Sequence, residues 1–145
     1  MVQKIQMAFS VLLFILMTVS CGQGKANQTV ASNEVLSEVE AVHPGELPYK
    51  KNCMSCHQKD LGGIPRMYPP LANNKTVSGN KEALIGIVLN GMTGEIEVNG
   101  IPYNGIMASY SNLSDQDIAN ILNYIRANHG NSGDEILPAD VRKLR

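Results

Sequence analysis

The chain has 145 residues, a formal net charge of −1 and an apolar fraction of 43%. That length fits one domain with an ordered core. The near-neutral balance gives no electrostatic case for nucleic acid, which calls for a basic face.

Residues 1–20 have the pattern of an export signal. Lys4 supplies the positive n-region and residues 7–19 the apolar run. That run is short of the ~20 apolar residues of a spanning helix, which argues against an uncleaved anchor. Thr18-Val19-Ser20-Cys21 resembles a bacterial lipoprotein processing site, with Thr18 standing where Leu is usual. The resemblance implies that Cys21 is lipidated and that the protein is periplasmic and tethered to a membrane. Both phenylalanines, Phe9 and Phe14, lie in the signal, and the five tyrosines are the large aromatics that remain. A buried planar cofactor would fill so thin an aromatic core.

Residues 21–43, rich in Gly, Asn, Gln, Ser and Glu, are expected to form a flexible tether. The folded domain is expected over 44–131. Its first helix spans 46–56, with Pro48 tolerable in the first turn. Residues 58–77, broken by Gly62-Gly63, Pro65 and Pro69-Pro70, form a long loop. A loop of that length in a small domain implies that it binds something. A second helix spans 80–90, opened by Ser78 or Gly79 and closed at Asn90-Gly91. Alternating residues flank Asn99-Gly100, which predicts a small hairpin over 95–103. Ser114 caps the last helix, in which Ile118, Ile121, Leu122 and Ile125 recur at helical spacing. Gly130 ends it, and 132–145 is expected to be a polar tail.

Cys53-Met54-Ser55-Cys56-His57 is a C-x-x-C-H run, the attachment pattern of c-type haem. Two cysteines three apart on a helical turn reach the two vinyl groups at one porphyrin edge, and the next histidine points at the iron. Export fits, because this attachment takes place outside the cytoplasm. A dithiol redox site favours a βαβ context that is absent here. A zinc site needs four ligands, and only Cys53, Cys56 and His57 cluster. A C-x-x-C disulfide would leave His57 unexplained.

Over roughly residues 45–131 the chain resembles the class I cytochrome c family. Gly45 and Tyr49 precede Cys53 as G-x-x-x-Y-x-x-x-C, Pro69-Pro70-Leu71-Ala72 follows the attachment run, and residues 104–110 lead through Leu113-Ser114-Asp115 into the last helix. Ala108 stands where family members often have Pro after the ligand methionine. The resemblance implies an all-α class I cytochrome c fold: three to four helices around one covalently bound haem c and its iron, with a small hairpin before the axial-methionine segment. It implies Cys53 and Cys56 as thioether attachments and His57 and Met107 as iron ligands, with Met92 as the reserve candidate for the sixth position. It places the acceptor for the second His57 nitrogen at Pro69, with Pro70 as the alternative, and Leu71 and Leu113 against the haem. Arg66 is a candidate contact for a haem propionate. The first and last helices should cross at Gly45, with Tyr49 near Tyr124. A filled sixth position implies an electron carrier rather than an enzyme, exchanging electrons with redox partner proteins. The alternatives are a haem enzyme or sensor with a labile sixth ligand, and a thiol–disulfide oxidoreductase.

Overall fold

The computed structural model describes residues 42–145. The export signal, Cys21 and nearly all of the tether lie outside the described residues. Five helices and one hairpin make up the described part. They are α1 (Glu46–Asn52), α2 (Met54–His57), α3 (Lys81–Asn90), β1 (Ile96–Val98), β2 (Ile101–Tyr103), α4 (Asp115–Arg126) and α5 (Pro138–Arg142). None of these helices is long and apolar enough to cross a membrane.

The single first helix expected over 46–56 is divided into α1 and α2 at Cys53, whose φ of −117° leaves the helical range. The path stays continuous, because Cys53 N–H donates to the Tyr49 carbonyl (2.8 Å) and His57 N–H to the Cys53 carbonyl (3.0 Å). Asn80, rather than Ser78 or Gly79, caps α3: its side chain accepts from the Ala83 N–H at 2.8 Å. Ser114 caps α4 by accepting from the Asp117 N–H at 3.0 Å.

The packing that positions everything else is the crossing of α1 on α4. A Cβ built on Gly45 would fall 1.9 Å from the Asn120 carbonyl oxygen, so only glycine allows this approach. Tyr49 is buried beneath the crossing, with its ring centroid 5.3 Å from that of Tyr124. Ile118, Ile121, Leu122 and Ile125 face inward from α4 and meet Leu84, Ile85, Val88 and Leu89 of α3 in one core.

The hairpin pairs Ile96 with Tyr103, Glu97 with Pro102 and Val98 with Ile101. Asn99 and Gly100 both have positive φ (53° and 78°), as a two-residue turn between twisted strands requires.

Residues 132–145 are not a free tail. Ile136 and Val141 are fully buried, and α5 packs on α3 and α4. Pro138 opens α5, where its missing N–H costs nothing, and Asp140 accepts from the Leu137 N–H at 3.0 Å. Lys81 donates to Asp140 at 2.9 Å. Arg145 donates to Asp115 and to the carbonyls of Ser111 and Leu113 at 2.5–2.6 Å. Arg126 is also buried, and its guanidinium is satisfied by the carbonyls of Val77, Gly79 and Asp134. The segment is thus tied down by two apolar anchors and a ring of charge-assisted hydrogen bonds.

Candidate functional site

Cys53, His57, Pro69, Leu71 and Met107 all line one apolar cleft, and Cys56 lines its open side. The cleft has two adjoining lobes with empty volumes of about 830 and 710 Å³. Both lobes share Cys53, His57, Pro69, Met92 and Met107. The inner lobe reaches the core at Leu84, Val88, Ile121 and Leu122. The outer lobe opens between Met67 and Ile106, which are 52% and 74% exposed.

The wall that bears Cys53, Cys56 and His57 is held locally. His57 Nδ1 lies 3.0 Å from the Pro69 carbonyl. A carbonyl can only accept, so Nδ1 carries the proton and Nε2 keeps its lone pair. Burial pushes the His57 pKa down, against the opposing pull of the Pro69 hydrogen bond, and so favours the neutral ring. The loop that delivers Pro69 and Leu71 is fixed by the Leu61 carbonyl, which accepts from Leu71 (2.7 Å) and Ala72 (3.0 Å). Asn74 is buried at the loop's end; it donates to the Pro70 carbonyl at 2.7 Å and accepts from Thr76 and Val77.

The facing wall is assembled from separate stretches. Met92 and Met107 exchange both backbone hydrogen bonds at 2.9 Å. Tyr110 N–H donates to the Val88 carbonyl (2.9 Å) and Ser109 Oγ to the Leu89 carbonyl (2.5 Å), which laces residues 107–110 to the end of α3. The Tyr110 hydroxyl reaches across to the Asn52 carbonyl at 2.7 Å, joining the two walls beside Cys53. Ile96 and Val98, two apart on β1, both line the inner lobe. The residues expected at the site from the sequence do not include these two, although their period-2 spacing places both on one face. Arg66 is exposed and does not line the cleft.

Cys53 does not suit the part of an activated thiol in a dithiol site. Burial, and then the neighbouring Cys56, push the Cys53 thiol up to about 12, whereas a reactive cysteine needs a depressed value. What the cleft suits is a flat apolar group. Two sulfurs lie at its edge, an imidazole nitrogen and the thioethers of Met92 and Met107 line it, and the remaining walls are mostly aliphatic, with Tyr68 and Tyr110 among them.

Residues 42–128 match the family described as cytochrome c. The chain belongs to the cytochrome c family.

It is 42% identical over 84 residues to cytochrome c-552 of Thermus thermophilus, covering 55% of this chain and 64% of that one. It is 39% identical over 118 residues to the cytochrome c subunit of alcohol dehydrogenase (quinone) from Gluconacetobacter polyoxogenes, covering 79% of this chain and 25% of that one. The cytochrome c subunit of gluconate 2-dehydrogenase from Pantoea cypripedii is 30% identical over 135 residues, covering 87% of this chain and 30% of the subunit. The chain therefore spans less than two thirds of the length of each of these relatives. As a class I monohaem c-type cytochrome it carries covalently bound haem c with its iron.

Proposed function

We propose that this cytochrome is an exported, lipid-tethered carrier whose iron is held by His57 and Met107. Cys53 and Cys56 form the two thioether bonds, Pro69 fixes the His57 ring, and Leu71 packs against the porphyrin. When bound, the haem iron takes up and releases single electrons between its ferric and ferrous states. The polypeptide sets the terms of that exchange. Aliphatic walls exclude water from the iron, and a thioether ligand favours the ferrous form and raises the potential. With His57 and Met107 both holding it, the iron would have no open position for substrate. The observation that carries this reading is the single cleft lined by Cys53, Cys56, His57 and Met107.

The export signal and the Cys21 context support a periplasmic location with a lipid anchor at Cys21. Two of the relatives above are cytochrome subunits of dehydrogenases. By that likeness the partner that supplies electrons here is a dehydrogenase.

The test is optical. The reduced protein should show a low-spin haem c spectrum that carbon monoxide leaves unchanged at neutral pH. Rapid carbon monoxide binding would replace the carrier with an enzyme or sensor. Met92→Leu should keep the sulfur-to-iron charge-transfer band, and its loss would hand the sixth position to Met92. Cys21→Ala should move the cytochrome from the membrane to the soluble periplasmic fraction.

A further inference from the structure

The facing wall presents not one thioether to the cleft but two. Met92 and Met107 sit opposite each other as a hydrogen-bonded antiparallel pair, with both N–H to carbonyl distances at 2.9 Å. Residues directly opposite in such a pair project on the same face of the ribbon, with Cβ atoms about 5.5 Å apart. Both side chains line both lobes, as does His57.

The pairing is rigidly placed. Gly91, at φ +75°, turns the chain out of α3 and lies so close to the facing strand that a Cβ would meet the Met107 carbonyl oxygen at 2.4 Å. Ser109 and Tyr110 are bonded to the carbonyls at the end of α3. Met92 is therefore carried by the same framework as Met107. It is unbranched, and its torsions let the sulfur move without moving the backbone. Competing donors are scarce: among the described residues, His57 is the one histidine lining the cleft, and no lysine does so. Met67 is the other thioether there. It lies on the outer lobe, 52% exposed, on a separate loop.

We infer that Met92 is a second thioether donor to the same iron, poised beside Met107, so that loss of Met107 leaves the sixth position filled by sulfur. This rests on the His57/Met107 reading. Its consequence is that the carrier stays a closed, low-spin haem when its first sulfur ligand is lost, and does not become a gas-binding one.

The test uses the full-length holoprotein as wild type, Met107→Ala, Met92→Leu and the double variant. The readouts are the ferric charge-transfer band, carbon monoxide binding to the ferrous form, and the upfield-shifted methyl proton resonance of a ligated methionine. Met107→Ala should keep the band and the shifted methyl, and should bind carbon monoxide at least tenfold more slowly than the double variant, which should lose both signals. If Met107→Ala already matches the double variant, Met92 does not reach the iron and the inference falls, while Met107 ligation stands. If Met92→Leu loses the band and Met107→Ala does not, the His57/Met107 reading falls. If the double variant keeps the band, a third donor overturns both. Should Met107→Ala not fold, wild type decides. A through-space contact between the Met92 methyl and the ligated Met107 methyl is expected in the ferrous protein, and its absence overturns the inference.

Discussion

On one wall of the cleft, Cys53, Cys56, His57, Pro69 and Leu71 come from a single continuous stretch whose contacts are mostly local. On the other, Met92, Ile96, Met107 and Leu113 come from the end of a helix, a hairpin and a turn-rich segment. The first wall is set mainly by short-range geometry, a helical turn, a loop pinned on Leu61 and one carbonyl on His57, with Asn131 as its distant tie, donating to the Leu71 carbonyl at 2.8 Å. The second exists only when residues far apart in sequence are paired, and residues 111–113 are further braced from Arg145 at the chain's far end. Covalent attachment and sulfur ligation should therefore fail independently, and substitutions on either wall should separate them.

The largest effect should come from the local wall. Removing both Cys53 and Cys56 by alanine substitution should abolish covalent haem, read as loss of the added mass of the macrocycle from the denatured polypeptide. Retained covalent haem would overturn the attachment assignment.

Next comes Gly91→Ala on the facing wall. It places a side chain at a φ of +75° and drives its Cβ to 2.4 Å from the Met107 carbonyl oxygen. Backbone strain of about 1–3 kcal/mol and overpacking of about 1–3 kcal/mol should combine. The midpoint of unfolding should drop and the charge-transfer band should weaken while covalent haem persists. A band and midpoint like wild type would show that the Met92–Met107 ribbon does not govern ligation.

Ile136→Ala probes the brace rather than the ribbon. Ile136 is 1% exposed, and truncating a buried Ile costs about 2–5 kcal/mol, the lower part where the site can collapse. Denaturant unfolding should report that loss with the spectrum unchanged at neutral pH. A change below ~0.5 kcal/mol, the ordinary range for surface substitutions, would mean that 132–145 is the free tail its composition suggests.

That segment also marks what is legible in the chain. The C-x-x-C-H turn, the Asn99-Gly100 hairpin and the Ser114 cap each depend on neighbours in sequence and can be read from the residues alone, whereas the Gly45 crossing joins distant helices and is expected only from the family resemblance. The strap cannot be read so directly. Leu137, Val141 and Leu144 do recur at helical spacing, but Leu137 and Leu144 stay 49% and 39% exposed, and the residues that anchor the segment are Ile136 and Val141. Arg126 looks like a surface cation in α4, yet the backbone carbonyls of Val77 and Gly79 in a distant loop, with that of Asp134 just beyond the helix, make it a core residue. The Met92–Met107 pair is illegible for the same reason: its register is decided by how residues 107–110 dock on the end of α3.

The smallest expected effect is acid loosening of the strap. Asp115 is held below the usual carboxylate range by hydrogen bonds from Arg145 and then Arg142. Asp140 is held down by the Leu137 N–H and then Lys81. A carboxylate depressed in the folded state adds stability that is present above its unfolded value, ~3.9, and lost as pH falls through the folded value. Both groups are solvent-accessible, so screening keeps the contribution small. Amides of 136–145 should thus exchange faster below about pH 4 than those of α4, before global unfolding. Asp115→Asn with Asp140→Asn should produce the same local opening at pH 7. Because Arg145 also holds the Ser111 and Leu113 carbonyls, the opening should reach residues 111–113 but leave Leu61, Leu71 and His57 protected. Equal loosening on both walls would show that they form one cooperative unit, and the division between them would not stand.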